Sequence, residues 1–440
     1  MKWWLGAVIL LVAGMALQLG LLVYAMYVLL GVLVISRFLT AQWIDHLSAT
    51  RECSGRVLEI GDKVNATVTI ENHGRFTLPW LLLEDAVPEE FEPPPRLRFK
   101  GPRMAVTRLA AHGEKEIKYE AECQTRGYFQ FGPLLAETGD LFGLHRRYLV
   151  MTEPHFVTVL PKIVPLEGYD LASRRPVGEV RITHRLFEDP TRTAGARLYQ
   201  NGDSIHRIHW RATARTGQLH SKNFEPSCMA GVTLLLDFHE ANYPGRGRRY
   251  RSELAVTTAA SLANTLAKLR QPLGLVTNGR DAADRIREEG WDRRFRSRAA
   301  ARATSGMKQS SDRLRPIQIE TKQGPAQLPM ILETLARVEL TDGLSFPQLI
   351  AEVSGTLPRH ATVVALLADV PMETAFALGQ LRRQGYAVVA VVAMFDENKF
   401  PDWARRPDWA AWLLAEHIEV RRVDDEESIG QLCSAYLMGR

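Results

Sequence analysis

From Trp3 to Ile35 the chain carries a single strongly polar side chain, Gln18. Water does not tolerate so long an apolar run, and a bilayer core accepts about 20 apolar residues per helix. The 33 residues here are too many for one span and slightly few for two generous ones. LQLG at 17–20 sits in the middle, which predicts a tight helical hairpin over roughly 3–17 and 20–38. A cleaved leader fits less well: the run exceeds a leader's hydrophobic region, and no small-residue cleavage site precedes its second half. Lys2 and Arg37 flank the two ends. Basic residues favour the cytoplasmic side of a span, so the expected location is the inner (cytoplasmic) membrane, crossed twice, with the bulk of the chain in the cytoplasm.

The rest of the 440 residues is enough for two or three domains at about 100–200 residues each. Residues 41–165 form the next expected domain, and 48–165 read as strands. In RVLEIGDKVNATVTIENHG, Val64, Ala66, Val68 and Ile70 alternate onto one face before a turn at Asn72, His73 and Gly74. PWLLLEDAV, EKEIKYEAEC, GYFQFGPLLAET and HFVTVLP follow. Turn signals at Gly101-Pro102, His112-Gly113 and Gly132-Pro133, and a proline-rich loop at 92–97, separate them. Short strands at this spacing predict a β-sandwich.

Residues 166–230 form a less regular connector. From 231 the pattern changes to GVTLLLDFH, PLGLVTNG, ATVVALLADV and YAVVAVVAMF, continuous apolar runs of the kind found in buried parallel strands. Between them lie helical patterns near 251–270, 326–338 and 345–354, and METAFALGQLRRQG, which Gly385 closes. The alternation predicts a doubly wound α/β domain over 231–440. Within it, 280–325 is rich in arginine and poor in apolar residues, a solvated basic insertion. Few aromatics interleave with those arginines and the net charge is only +5, so nucleic acid is not an expected partner. The cysteines, Cys53, Cys123, Cys228 and Cys433, lie far apart without a CxxC pair, which favours free buried thiols over a zinc knot.

The densest chemistry lies at 198–215, LYQNGDSIHRIHWRATAR. Gly202 permits a turn, Asp203 is a good N-cap for a helix starting near Ser204, and Gly217 would stop that helix. Helical spacing puts Ile205, Ile208 and Ala212 towards the core, with Trp210 and Ala214 on an adjacent face. His206, Arg207, His209, Arg211 and Arg215 line the remainder, and Glu225 is a candidate partner for Arg215. A structural corner, with Trp210 packed, competes with an anion- or partner-docking surface. His206 and His209 have no serine or cysteine at a recognisable nucleophile spacing. There is no GxxxxGK[ST] for a nucleotide.

Tyr199-x-x-Gly202-Asp203, then Ile208-x-Trp210, then Ala214-Arg215, resembles the hallmark of the domain of unknown function 58 family. RGYFQFGP at 126–133 and GDLFGL at 139–144 resemble that family's sandwich signature, and hairpin, sandwich, motif and α/β domain follow in the family's order. His206 departs from it, standing where the family usually carries arginine, a role that could pass to Arg207. The resemblance implies a von Willebrand factor A-like C-terminal domain and action beside MoxR-type AAA+ ATPases as an adaptor or assembly factor. Such domains often hold Mg²⁺ through Asp-x-Ser-x-Ser. The matching positions here are Asp237-Phe238-His239-Glu240-Ala241, where Ala241 has no ligand and His239 offers nitrogen to a hard ion. Asp237 and Asp369 both end apolar strands, but with His239 they make a degenerate site, and no cofactor is expected.

The expectation is therefore a membrane-anchored binding protein rather than an enzyme. Its partners would be the lipid bilayer, a MoxR-type ATPase, and other membrane or envelope proteins. The alternative is a hydrolase using Asp203, His206 or His209 with the strand-end acids, which requires those groups to converge in one pocket.

Overall fold

The computed structural model describes residues 2–86, 95–140, 145–166, 188–199, 208–226, 231–243, 245, 247–284, 314–358, 361–393 and 409–432. The chain divides into two compact units. The first comprises 1–162, 279–313 and 332–341, and the second 163–278, 314–331 and 342–440.

The first unit opens with helices α1 (Lys2–Ala16) and α2 (Gly20–Asp45) joined across Leu17–Leu19. By length and composition α2 can cross a membrane; α1 is the shorter apolar helix. The expected end of the second helix at 38 is corrected. The helix runs on to Asp45 because Trp43 and Ile44 are buried, and Trp43 joins the sandwich core with Leu39 against it. The domain boundary expected at 40/41 thus falls inside one continuous helix.

Eleven strands follow: β1 (Leu47–Cys53), β2 (Val57–Leu58), β3 (Lys63–Asn72), β4 (Leu78–Asp85), β5 (Leu97–Lys100), β6 (Met104–Leu109), β7 (Glu114–Cys123), β8 (Gly127–Phe131), β9 (Leu134–Gly139), β10 (Arg146–Thr152) and β11 (His155–Val159). They form sheets ordered β1-β3-β7-β5, β10-β9-β4-β6 and β2-β11-β8. Val64, Ala66, Val68 and Ile70 are buried, as their alternation predicts. Val68, Ile70 and Ile117 of one four-stranded sheet share a core with Leu81, Leu83, Leu134 and Ala136 of the other, which is sandwich packing. The loop predicted at 92–97 lies mostly outside the described residues; Leu97 begins β5.

Two polar devices sit inside this apolar frame. Arg51 pairs with Asp85 at side-chain exposures of 4% and 0%. The Arg51 Nη1 also donates to the carbonyls of Phe131 (3.2 Å) and Glu153 (2.8 Å), and the Tyr119 hydroxyl donates to Asp85 Oδ2 at 2.6 Å. The guanidinium lies directly on Gly132, where φ is +89° and a Cβ would overlap it, so RGYFQFGP has a physical need for glycine there. The second device is Arg126, at the start of the same motif. Its buried Nη1 donates to the carbonyls of Leu335 (2.7 Å), Ala336 (3.4 Å) and Val338 (3.0 Å). These close the C-terminus of α5 (Gln327–Arg337) and enter β18 (Val338–Glu339), which pairs with β16 (Arg280–Asp281). Replacing Arg126 with alanine is expected to cost at least about 2 kcal/mol, since a charged donor leaves buried carbonyls unpaired. Lysine should recover part of it; an equal melting temperature for the alanine variant would contradict this role.

In the second unit, β12 (Glu188–Leu198) and β13 (His220–Pro226) form an antiparallel ribbon, correcting the irregular connector expected at 166–230. Residues 167–187, 200–207 and 227–230 lie outside the described set. A six-stranded sheet follows in the order β17 (Ile317–Lys322), β15 (Leu273–Thr277), β14 (Val232–Leu236), β19 (Thr362–Leu367), β20 (Ala387–Ala393) and β21 (Glu419–Val423). All neighbours are parallel except β17, which is antiparallel to β15. The insertion expected at 280–325 is therefore shorter: β16 and β17 take its ends, and only 285–313 lie outside the described residues.

Leu235, Val363, Ala365, Val388 and Ala390 share a core with α6 (Phe346–Val353), α7 (Met372–Arg383) and Leu413 of α8 (Trp409–Ala415). The strand residues of opposite parity, Leu234, Leu236, Val364 and Leu366, are equally buried, and α4 (Arg248–Lys268) packs on β14, β15, β19 and β20. The sheet is thus covered on both faces, which is why its strands read as unbroken apolar runs. Gly385, at φ +99°, follows Gln384, the C-cap residue of α7.

Candidate functional site

Two places in the second unit gather the residues singled out from the sequence. The first is the closed end of the β12–β13 ribbon. The Tyr199 N–H donates to Leu219 O at 2.9 Å, and the His209 N–H to His220 O at 2.8 Å. Ile208 bridges to Ser221 and is buried. Helix α3 (Trp210–Thr216) follows, its N-terminus capped by the His209 ring, whose Nδ1 accepts the Ala212 N–H at 3.0 Å. Gly217, at φ +72°, ends it with its N–H on Thr213 O at 2.9 Å, the left-handed cap expected there.

This corrects the helix expected from Ser204. It begins six residues later and is capped by His209; Gly202, Asp203, His206 and Arg207 lie outside the described residues. Ile208 is buried as a bridge residue rather than on a helix face. Ala212 is half-buried and Ala214 and Arg215 are exposed, and the side chain of Glu225 lies outside the described set. Trp210, expected to pack, is 67% exposed. A helix of seven residues set on a two-stranded ribbon has too little surface beneath it to bury an indole. Leu198 and Leu219, at the same end of the ribbon, are also exposed.

The second place is the carboxyl edge of the sheet, where β14 and β19 lead the chain in opposite directions, the position at which open α/β sheets hold ligands. Asp237 lies there fully buried. Its Oδ1 accepts from Asn278 Nδ2 (3.0 Å) and the His239 N–H (3.2 Å), and its Oδ2 accepts from Asn242 Nδ2 (2.6 Å). Asn278 in turn accepts the Phe238 N–H at 2.6 Å. The buried Arg251 of α4 donates to Asn242 O at 2.6 Å and stands over the Tyr243 ring. Asp369 is buried as well, its Oδ1 accepting the Val370 N–H at 2.9 Å.

A Mg²⁺ ion needs several oxygen ligands with lone pairs turned towards it. Here amide hydrogens face both Asp237 oxygens, His239 spends its Nδ1 on the Ala241 N–H, and Ala241 has no donor. Among the described residues no three His, Cys, Asp or Glu side chains group as metal ligands. The residues present do not fit the ion.

Burial raises the Asp237 pKa above the ordinary carboxylate range, against the lowering effect of the Asn278, His239 and Asn242 hydrogen bonds. A carboxyl raised on folding binds its proton more tightly in the folded state. Its burden on stability is absent below the unfolded value, near about 4, and grows as pH rises through the folded value. The parent should therefore lose stability relative to Asp237→Asn as pH rises from 4 towards 8. Melting temperatures of the two that run parallel across that range would refute it.

Convergence of motif histidine and strand acid, as hydrolysis required, is not found among the described residues. His209 and Asp237 share no hydrogen bond, and each is committed to its own turn. Burial pushes the thiols of Cys53 and Cys123 up to about 11, away from nucleophilic use. Sequence reasoning missed Asn242, Asn278 and Arg251. The one available signal was Asn278 directly after the apolar run PLGLVT, where a strand ends.

The family model described as "Protein of unknown function DUF58" matches residues 195–326, from the β12–β13 ribbon through the Asp237 cluster to β17. The uncharacterized protein YeaD of Bacillus subtilis (strain 168) is 25% identical over 262 residues, 59% of this chain and 62% of its own length. The chain thus matches less than two thirds of that relative. Solved structures with local likeness include the CARDB domain of a Pyrococcus furiosus protein, at 13% identity, 26% of this chain, 87% of that chain and a TM-score of 0.17. The PapD-like domain of human CEP192 is 18% identical over 25% of this chain and 82% of that chain, with a TM-score of 0.16. Proximal thread matrix protein 1 from the mussel byssus is 10% identical over 46% of each chain, with a TM-score of 0.27.

Proposed function

We propose that this chain is a membrane-anchored binding protein that docks a partner at the closed end of the β12–β13 ribbon. The observation carrying this reading is Trp210, exposed within the matched stretch beside exposed Leu198 and Leu219. A large ring held in water on a short helix capped at both ends costs solvation and returns little to the fold, which is how interface anchors look before their partner arrives. Arg211 and Arg215 on α3 add charge that favours an acidic partner surface.

The anchor in this proposal is the α1–α2 pair, spanning twice with Lys2 and Arg37 on the cytoplasmic side. The second unit is read as von Willebrand factor A-like, supported by its strand order with an antiparallel edge, and as working without a metal ion. The partner proposed from the family resemblance is a MoxR-type AAA+ ATPase, with a cell-envelope or other complex as the client. Crosslinking in native membranes followed by affinity capture should recover an AAA+ ATPase with the intact chain. Capture of the chain alone from membranes that contain the ATPase would overturn the adaptor reading, and release of the chain by a carbonate wash would overturn the anchor.

A further inference from the structure

Where α2 leaves its apolar stretch, the sandwich brings a distant part of the chain to meet it. Ser36 is buried and donates to Asp140 Oδ2, a residue 104 positions away, and its Oγ lies 3.0 Å from His145 Nδ1. Asp140 Oδ2 also accepts the His145 N–H at 2.7 Å. Asp140 is thereby turned inward, and the start of β10 is pinned against the helix at the level of Ser36.

Arg37 on the helix and Arg147 on β10 adjoin this junction, while Arg146, between His145 and Arg147, takes the opposite face of the strand. Arg37 and Arg147 are exposed and form no ion pair among the described residues, while Arg146 lies 3.5 Å from Glu137. Val34, Ile35 and Phe38, around Arg37, are exposed apolar side chains. Leu39 packs on the sandwich core, and Trp43 and Ile44, nearly two turns past Arg37, are buried. The helix surface thus changes from lipid-compatible to protein-packed just past the level where Ser36 meets Asp140 and His145. A free anion would use the arginines and leave the apolar ring in water, whereas a lipid satisfies both, phosphate to guanidinium and acyl chain to Val34, Ile35 and Phe38.

We propose that Arg37 and Arg147 bind the headgroup of an anionic phospholipid, so that the first unit is seated on the leaflet by its sandwich as well as held by its helix. This rests on the membrane-anchor reading above. The test is native mass spectrometry of the full chain in detergent micelles, titrated with dioleoylphosphatidylglycerol or dioleoylphosphatidylcholine. At about fivefold per arginine, the parent should prefer the anionic lipid by about 25-fold. Arg37→Gln/Arg147→Gln should bring the preference near one, and the charge-matched Lys268→Gln/Arg382→Gln should keep it. Equal retention of the two lipids by the parent, an unchanged preference in the arginine variant, or an equal loss in the control overturns the site. Membrane fractionation separates the two readings: a chain that resists carbonate yet shows no lipid preference defeats only the headgroup site, and a chain that is washed off defeats the anchor itself.

Discussion

Replacing Asp85 with alanine is expected to cost the sandwich about 3–5 kcal/mol, the loss incurred when one member of a buried ion pair is removed and the other remains. Asp85 is fully buried, receives Arg51 through Nε at 3.3 Å and through Nη2, and accepts the Tyr119 hydroxyl. Alanine leaves the guanidinium without its counter-charge and the phenol without its acceptor, and Arg51 cannot turn away because Gly132 and the Phe131 and Glu153 carbonyls hold it. Replacing both charges together, as Arg51→Met/Asp85→Leu, should cost far less, since the desolvation of both ions disappears with the pair. Thermal or denaturant unfolding of the detergent-solubilised chain, followed for both variants, separates the two. A single-variant loss below about 1 kcal/mol would mean that the pair is hydrated in solution.

Trp210→Ala should behave in the opposite way. With the ring mostly in water its removal should change stability by less than about 1 kcal/mol, whereas a core tryptophan would cost about 3–5 kcal/mol. Affinity for the docked partner should fall by about 30-fold or more, the scale of a hot-spot residue at an interface. Trp210→Phe should retain part of the binding, because it keeps most of the apolar surface. Partner capture and melting temperature, measured on the same preparations, decide the matter. Intact capture with the alanine variant removes Trp210 from the interface, and a large loss of stability restores it to the core.

Much of the architecture was legible because it is written in local periodicity. The alternation at Val64–Ile70 and the unbroken runs at 232–236 and 362–367 appear as buried strands, and Gly217 and Gly385 sit just past the helices they end. What was misread depended on surface supplied from elsewhere. The pattern at 205–214 has helical spacing, but of its described residues only 210–214 lie in helix, in a seven-residue element ending at Thr216 that has nothing broad beneath it. The second apolar helix was expected to end with its apolar run; it continues because the sandwich offers Trp43 a core. The short strands β1, β5, β6 and β10 carry weak alternation and form through their partners.

The candidate sites divide in the same way. A greasy N-terminus, an all-β stretch and an α/β stretch follow from residue type and spacing alone, since hydropathy is a property of the side chains themselves, whereas the degenerate magnesium motif was implied only by the family resemblance. That Asp237 faces amides rather than a cation, that Arg126 closes a helix more than two hundred residues away, and that Ser36 of the apolar helix meets Asp140 were decided only by the folded chain. Hydrogen bonds and charge clusters form between groups a few ångströms apart, and sequence separation does not encode that distance.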